Sequence, residues 1–302
     1  MNRSRLQKAV NGRCLDLSKK NVVWVSGSGR SGTSWLANLI NYRNDFRYIF
    51  EPLNPRFLPY RDIDIDWMPS PDDSDPLLTN IITGKVSTHW ANSRNRKWIA
   101  KARLIKAIRS NMMVPWINKN FPEAKVVLLI RNPLAVAASR KKLSIHSPGN
   151  WEWRPSPEVL LAQPSINNLL TLEEQHLLSA QLERGVVFET IVDWIITNIL
   201  AFRLIDFETN HLVFYESLAR KKHQVIDELF NFVQVPKAPE MEVYFDKKSD
   251  TTRNSGDGLI SSSPLEAWKQ VLTEQEISES RALLANFSID RFYTESFEPV
   301  GA

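Results

Sequence analysis

The residues best suited to chemistry lie in the run Gly27-Ser-Gly29-Arg30-Ser31-Gly32-Thr33-Ser34-Trp35. Glycines and small hydroxyl residues let a backbone wrap closely around a ligand, and Arg30 adds a cation. At the start of a helix, backbone N–H groups converge on one point and the helix dipole favours negative charge there. The run therefore predicts an anion, such as the phosphate of a cofactor, beside Arg30. Two familiar loops fit it unequally. Gly27, Gly29 and Gly32 satisfy the dinucleotide spacing, and Glu51 follows about 20 residues on, where a ribose-binding acid would stand. Gly27 and Gly32 also have the Walker spacing, but Thr33 occupies the position of its lysine. A third form, with the cation just before Gly32 and Thr33, Ser34 and Trp35 after it, belongs to neither.

A second candidate is Arg131. The apolar run Lys125–Ile130 ends on it. In a magnesium-dependent P-loop enzyme such a strand ends in Asp, which holds the metal. Here the charge is inverted, so the strand end suits an anion, and the planar guanidinium can grip phosphate oxygens in pairs. Ser139, two turns further on, could add a hydroxyl. Read alone, these residues also fit a surface arginine at a helix start and a solvated serine.

The elements that must position these groups alternate. Val22–Val25 reads as a strand and Ser34–Tyr42 as a helix. Phe46–Phe50, Arg103–Ile108, Lys125–Ile130 and His211–Tyr215 read as further strands. The run Lys125–Ile130 has the uninterrupted apolar pattern of a strand buried on both faces. Asn132 can cap a helix with Pro133 at its first position. Val114–Asn120, most of Thr171–Glu208, Val225–Val233 and Glu274–Asn286 read as helices. Residues 54–84 hold five prolines and the stretch Asp62-Ile-Asp-Ile-Asp66, and 143–170 are rich in Pro, Trp and polar residues. Segments near 54–100 and 143–170 are expected to act as lid or substrate-facing parts. The alternation predicts an α/β chain with a parallel sheet and ligands at the strands' C-terminal ends.

The chain has 302 residues, enough for one large core, so 1–302 is expected to be a single domain. Its net charge of +4 and pI near 9.1 suit an anionic ligand but are too mild to argue for nucleic acid. The only cysteine is Cys14, which excludes an internal disulfide and suits a reducing compartment. No apolar run is long enough to span a membrane, and the polar, basic first 20 residues lack a signal-peptide pattern.

Together the segments resemble a family, the sulfotransferases that use 3′-phosphoadenosine 5′-phosphosulfate (PAPS). Gly29-Arg-Ser-Gly-Thr-Ser-Trp35 resembles their 5′-phosphosulfate loop, and Arg131-Asn-Pro-Leu-Ala-Val-Ala-Ala-Ser139 their 3′-phosphate motif, at a similar spacing. Val213-Phe-Tyr-Glu-Ser-Leu218 is similar to a segment whose tyrosine, here Tyr215, lies near the adenine; Trp35 would lie there too. Thr252-Arg253-Asn-Ser-Gly256, with Trp268-Lys269 downstream, resembles the loop that closes over the 3′-phosphate. Ile49-Phe-Glu51-Pro-Leu53 and Leu104-Ile-Lys106-Ala-Ile-Arg109 resemble segments of carbohydrate 6-O-sulfotransferases. Those animal enzymes sit in the Golgi behind a membrane anchor, so the expectation here is a bacterial-type, cytoplasmic relative.

The resemblance implies a three-layer, P-loop-like fold with a central parallel sheet flanked by helices. It implies PAPS as sulfuryl donor, adenosine 3′,5′-bisphosphate as product, and a hydroxyl acceptor, here a carbohydrate or glycolipid. In-line sulfuryl transfer needs positioned charge rather than obligatory metal. Arg30 and the N–H groups of Ser31, Gly32, Thr33 and Ser34 would stabilise the departing phosphate. Glu51 is the expected base, with its pKa raised toward neutral by partial burial, and His89 is the rival. Lys106 would reach toward the sulfonate. Each has a plainer reading: a cap or ion pair for Glu51, a structural imidazole, a solvated lysine. Trp151 and Trp153, beside Arg154, suit sugar stacking or a core. Asp62, Asp64 and Asp66 read best as a solvated loop. A dinucleotide-dependent oxidoreductase, a nucleotide-dependent phosphotransferase and a non-catalytic anion binder remain the alternatives.

Overall fold

The computed structural model describes residues 14–18, 21–54, 65–146, 155–238, 241 and 265–300. Its strands are β1 (Leu15–Asp16), β2 (Val22–Gly27), β3 (Phe46–Phe50), β4 (Ile99–Ala100), β5 (Ala102–Ile108), β6 (Lys125–Ile130) and β7 (His211–Phe214). The helices are α1 (Thr33–Ile40), α2 (Pro76–Ile82), α3 (Val114–Asn120), α4 (Pro133–His146), α5 (Pro157–Ala162), α6 (Pro164–Asn167), α7 (Leu172–Ser179), α8 (Val186–Trp194), α9 (Tyr215–Arg220), α10 (Lys222–Val233) and α11 (Glu274–Ala285).

Five strands form one parallel sheet in the order β3-β5-β2-β6-β7. Side chains alternate across a strand, and here both faces are covered. Trp24, Val126, Leu128 and Ile130 face the core shared with α4 and α8, where Leu134, Val136 and Ile191 are buried. Val23, Val25, Val127 and Leu129 face the opposite core, where α1 and α10 contribute Leu36, Leu39, Ile226 and Leu229. Fully burying each such aliphatic side chain contributes about 1.5–3 kcal/mol. Two-sided burial explains why β6 reads as an unbroken apolar run and not as an alternation. The expected three-layer architecture with a central parallel sheet is what the chain adopts.

Register fixes the site. Phe50 pairs with Lys106, Gly27 with Ile108 and Leu129, and Ile130 with Phe214. Glu51, Ser28, Arg131 and Tyr215 therefore each follow a strand's last residue at the same edge of the sheet. At the other edge, Arg47 and Arg103 close on Asp16 at 3.0 and 2.7 Å.

Asn132 caps α4 as expected: its Oδ1 accepts from the Leu134 N–H at 2.8 Å. The helix runs on to His146, past the expected start of a loop at 143. The described part of 143–170 is largely helical, and Leu160, Leu161 and Ile166 are buried in the main core. Gln163 fastens it to the preceding excursion, donating to the Ile65 carbonyl at 3.1 Å. Trp151, Trp153, Arg154, Asp62 and Asp64 lie outside the described residues.

Candidate active site

The loop after β2 is shaped by close approaches. A Cβ on Gly27 would sit 2.5 Å from the Leu129 carbonyl oxygen and 2.8 Å from Thr33 Cγ2, so the strand end admits no side chain. Gly32 has φ 97° and precedes α1 without offering a capping oxygen. The first-turn N–H groups of α1 thus lack a side-chain cap, the condition under which a helix start receives an anion. A Cβ on Gly32 would lie 2.7 and 2.9 Å from the Tyr215 ring. Gly32→Ala is expected to lose about 1–3 kcal/mol through left-handed strain and this clash, read as a lowered midpoint in urea denaturation.

The second candidate segment closes on the loop. Arg131 donates from its Nη1 to the Arg30 carbonyl at 3.0 Å. Arg30 donates from Nε to Ser139 Oγ, also at 3.0 Å. The Arg131 guanidinium lies 4.3 Å from the Tyr215 ring centroid, and Trp35 meets Tyr215 edge-on at 5.7 Å. Residues about 100 positions apart in sequence thus form one cluster of cations and aromatic rings. The arginine backbone is fixed from below. Trp194 Nε1 donates to the Arg131 carbonyl at 3.0 Å, and the Asn132 N–H donates to Glu216 at 3.0 Å. Tyr293 donates its hydroxyl to the other Glu216 oxygen at 3.1 Å. Burial holds the Glu216 carboxyl above its ordinary pKa despite these donors and the Arg131 charge, and it raises the Tyr293 phenol.

At the neighbouring strand ends, Glu51 and Lys106 form a tight ion pair. Glu51 takes φ 42°, and its N–H donates to the Lys106 carbonyl at 2.7 Å. Burial alone would raise the Glu51 pKa, as the sequence led us to expect. The Lys106 ammonium, with Arg109 beyond it, outweighs burial and holds the carboxyl below its ordinary value. The expected rise of the Glu51 pKa toward neutral is therefore corrected: the burial is there, but so is a cation. Burial also lowers the pKa of Lys106, which is only 2% exposed.

Residues 20–284 match the sulfotransferase domain family. The chain belongs to that family. The expectation of a PAPS-dependent sulfotransferase is met at this level, and neither the oxidoreductase nor the phosphotransferase reading is favoured. Among solved structures, the sulfotransferase domain from the curacin biosynthetic pathway is 14% identical, with TM-score 0.48, over 90% of this chain and 98% of that one. A mouse sulfotransferase solved with PAP is 13% identical, with TM-score 0.47, over 95% and 90%. A sulfotransferase from Mycobacterium avium is 14% identical, with TM-score 0.46, over 92% and 78%. A comparison with curated proteins finds no match. The family match, not these likenesses, carries the assignment.

In this sulfotransferase the remaining candidates separate. Ser31 is buried in the loop and Thr33 at the start of α1, and Gly29, Ser34 and Trp35 are partly exposed. His89 is exposed on the turn that joins β3 through the Phe50 N–H to Ala91 carbonyl bond of 2.8 Å. Asp66 is exposed, and its carboxylate accepts from the Met68 N–H at 2.9 Å, as a loop residue does. Arg253 lies outside the described residues; Trp268 is buried, and Lys269 pairs with Glu266. Among the described residues no group of three or more His, Cys, Asp or Glu side chains could hold a metal, and no helix is long and apolar enough to cross a membrane.

Sequence reasoning missed Arg140, Asp193, Thr197 and Asn198. Arg140 and Asp193 form a buried pair at 2.6 Å. Thr197 and Asn198 both contact Ser28 Oγ, at 3.0 and 2.8 Å. The signal was available: two polar residues interrupt the apolar run Ile195-Ile-Thr-Asn-Ile-Leu200, and buried polar groups require partners.

Proposed function

We propose that this sulfotransferase moves the sulfuryl group of PAPS to a hydroxyl of a carbohydrate or glycolipid in the cytoplasm, with no metal required. The observation that carries the donor reading is the closure of Arg131 on the Arg30 carbonyl and of Arg30 on Ser139, which brings two cationic segments together. A doubly phosphorylated nucleotide needs such a pair. Two polar atoms there support the fit. Ser31 Oγ and Arg131 Nε are buried and have no hydrogen-bond partner among the described residues, an arrangement that ordinarily awaits an acceptor or donor. Gly29, Arg30, Ser31, Gly32, Thr33 and Ser34 would hold the 5′-phosphosulfate. Arg131, Ser139 and Arg253 would hold the 3′-phosphate, and Trp35 and Tyr215 would flank the adenine.

PAPS supplies the sulfuryl group, and adenosine 3′,5′-bisphosphate is the leaving portion. Glu51 takes the proton of the acceptor hydroxyl. Its pairing with Lys106 keeps it ionised, hence able to accept. Lys106 offers its charge to the sulfonate side, and Arg30 with the first-turn N–H groups of α1 stabilises charge on the departing phosphate. The FEPL-like residues Ile49–Leu53 favour the carbohydrate acceptor.

A thermal-shift comparison tests the donor. Adenosine 3′,5′-bisphosphate is expected to stabilise the protein, whereas ATP with Mg²⁺ and NADP leave it unchanged; the reverse order would refute the reading. Labelled PAPS offered with sugars, lipids, phenols and peptides then tests the acceptor class.

The pH profile tests the base. The lowered Glu51 pKa keeps the carboxylate ionised at neutral pH, and protonation comes only as pH falls through that lowered value. The ordinary Glu value is about 4.3, so kcat/KM is expected to show no acid limb between about pH 5 and 8. A limb inside that window rules out Glu51 in favour of a base of higher pKa.

A further inference from the structure

We infer that the turn Asp193–Asn198 is the positioning element of the donor pocket and that Asn198 is its principal positioning residue, an inference that rests on the donor reading above. Helix α8 passes directly into a π-helical stretch at Ile195–Leu200. Such widened turns are uncommon and occur disproportionately at functional sites. Here the turn grips both halves of the pocket at once. Asp193 holds Arg140 at 2.6 Å, and the Arg140 Nη2 lies 3.7 Å from where a Cβ on Gly29 would be. Trp194 holds the Arg131 carbonyl, and Thr197 and Asn198 hold Ser28 of the loop.

Asn198 is itself locked. Its Nδ2 donates to the Trp194 carbonyl at 2.9 Å, and its Oδ1 accepts from Asn111 Nδ2 at 3.1 Å. Asn111 accepts from Ser26 at 2.6 Å, and Ser26 meets Ser110 at 2.7 Å. Ser110 accepts from Trp24 Nε1 at 3.0 Å. Every member of this chain is almost fully buried. Apolar packing could give comparable stability at such positions. What a satisfied polar chain adds is a single geometry. It anchors Asn198, the one member of the chain that bonds Ser28, the first residue after β2, and Asn198 in turn sets where Gly29–Ser34 begins.

Asn198→Leu and Ser110→Ala separate positioning from stability, because both break the same chain and only Asn198 touches the loop. Each variant is measured for its denaturation midpoint, for its affinity for adenosine 3′,5′-bisphosphate by titration calorimetry, and for donor and acceptor KM. Asn198→Leu is expected to weaken the bisphosphate and raise the donor KM about tenfold, with the acceptor KM within about twofold. Ser110→Ala is expected to lose stability and leave both constants within about twofold. Equal donor losses in the two variants, or none in Asn198→Leu, overturn the inference. If Asn198→Leu does not fold, Thr197→Val is read by the same criteria. If the wild-type protein binds no bisphosphate, the donor reading fails and the inference fails with it.

Discussion

Arg131→Ala abolishes the stabilisation by adenosine 3′,5′-bisphosphate while leaving the protein folded: that is the expected result, measured by thermal shift and confirmed by calorimetry. The fold survives because the contacts that tie this segment down use its backbone. Trp194 binds the Arg131 carbonyl and Glu216 accepts from the Asn132 N–H, and neither needs the guanidinium. On the proposed reading the guanidinium serves the donor. It packs on Tyr215, reaches the Arg30 carbonyl and leaves its Nε without a partner among the described residues. Hydrogen bonds to charged groups contribute about 1.5–3 kcal/mol each, so losing a paired grip on phosphate weakens binding about 100-fold or more. Arg131→Lys restores part of this, since charge returns without the planar fork. Full binding by Arg131→Ala would remove the residue from the donor site.

Glu51→Gln is expected to keep bisphosphate affinity and lower kcat by about 10²–10⁴-fold, the usual contribution of a positioned base. Glutamine is the informative change because Lys106 is buried against Glu51. Removing the carboxylate altogether strands that ammonium, at a cost of about 3–5 kcal/mol, and confuses lost catalysis with lost structure. Glutamine keeps an oxygen for Lys106 but does not take a proton. The double change Glu51→Ala with Lys106→Met recovers the stability that Glu51→Ala alone loses, seen in urea denaturation, without recovering turnover. Normal turnover by Glu51→Gln would end its assignment as base.

Much of the sheet was legible because its signals are local. Lys125–Ile130 is buried on both faces and reads as apolar throughout; Asn132-Pro133 announces a helix start, and the structure caps α4 there. The length of α4 was not legible. Its later residues Arg140 and Lys141 carry no local helix signal, and their distant partners Asp193 and Glu276 are what hold them. The two-residue strands β1 and β4 have no periodicity to read and exist only as each other's partner. In the candidate site, Arg30, Arg131 and Ser139 could be picked out singly. That Arg30 turns toward Ser139, bringing the two segments together, depends on a long-range contact that no local pattern encodes. Glu51 and Lys106 were likewise visible as separate candidates, but their pairing reverses the electrostatic argument for Glu51.

The strand order has a consequence for how the molecule can change. Neighbouring strands stand about 4.8 Å apart. Glu51 follows β3 and Arg131 follows β6, three strands away, so the sheet works as a ruler about 14 Å long, with the loop after β2 between its ends. Strand β3 is an edge strand, separated from β2 by β5 and from β6 by β5 and β2. On the proposed reading, a lineage can trade one acceptor for another at the margin of the sheet while the donor stays fixed in its interior.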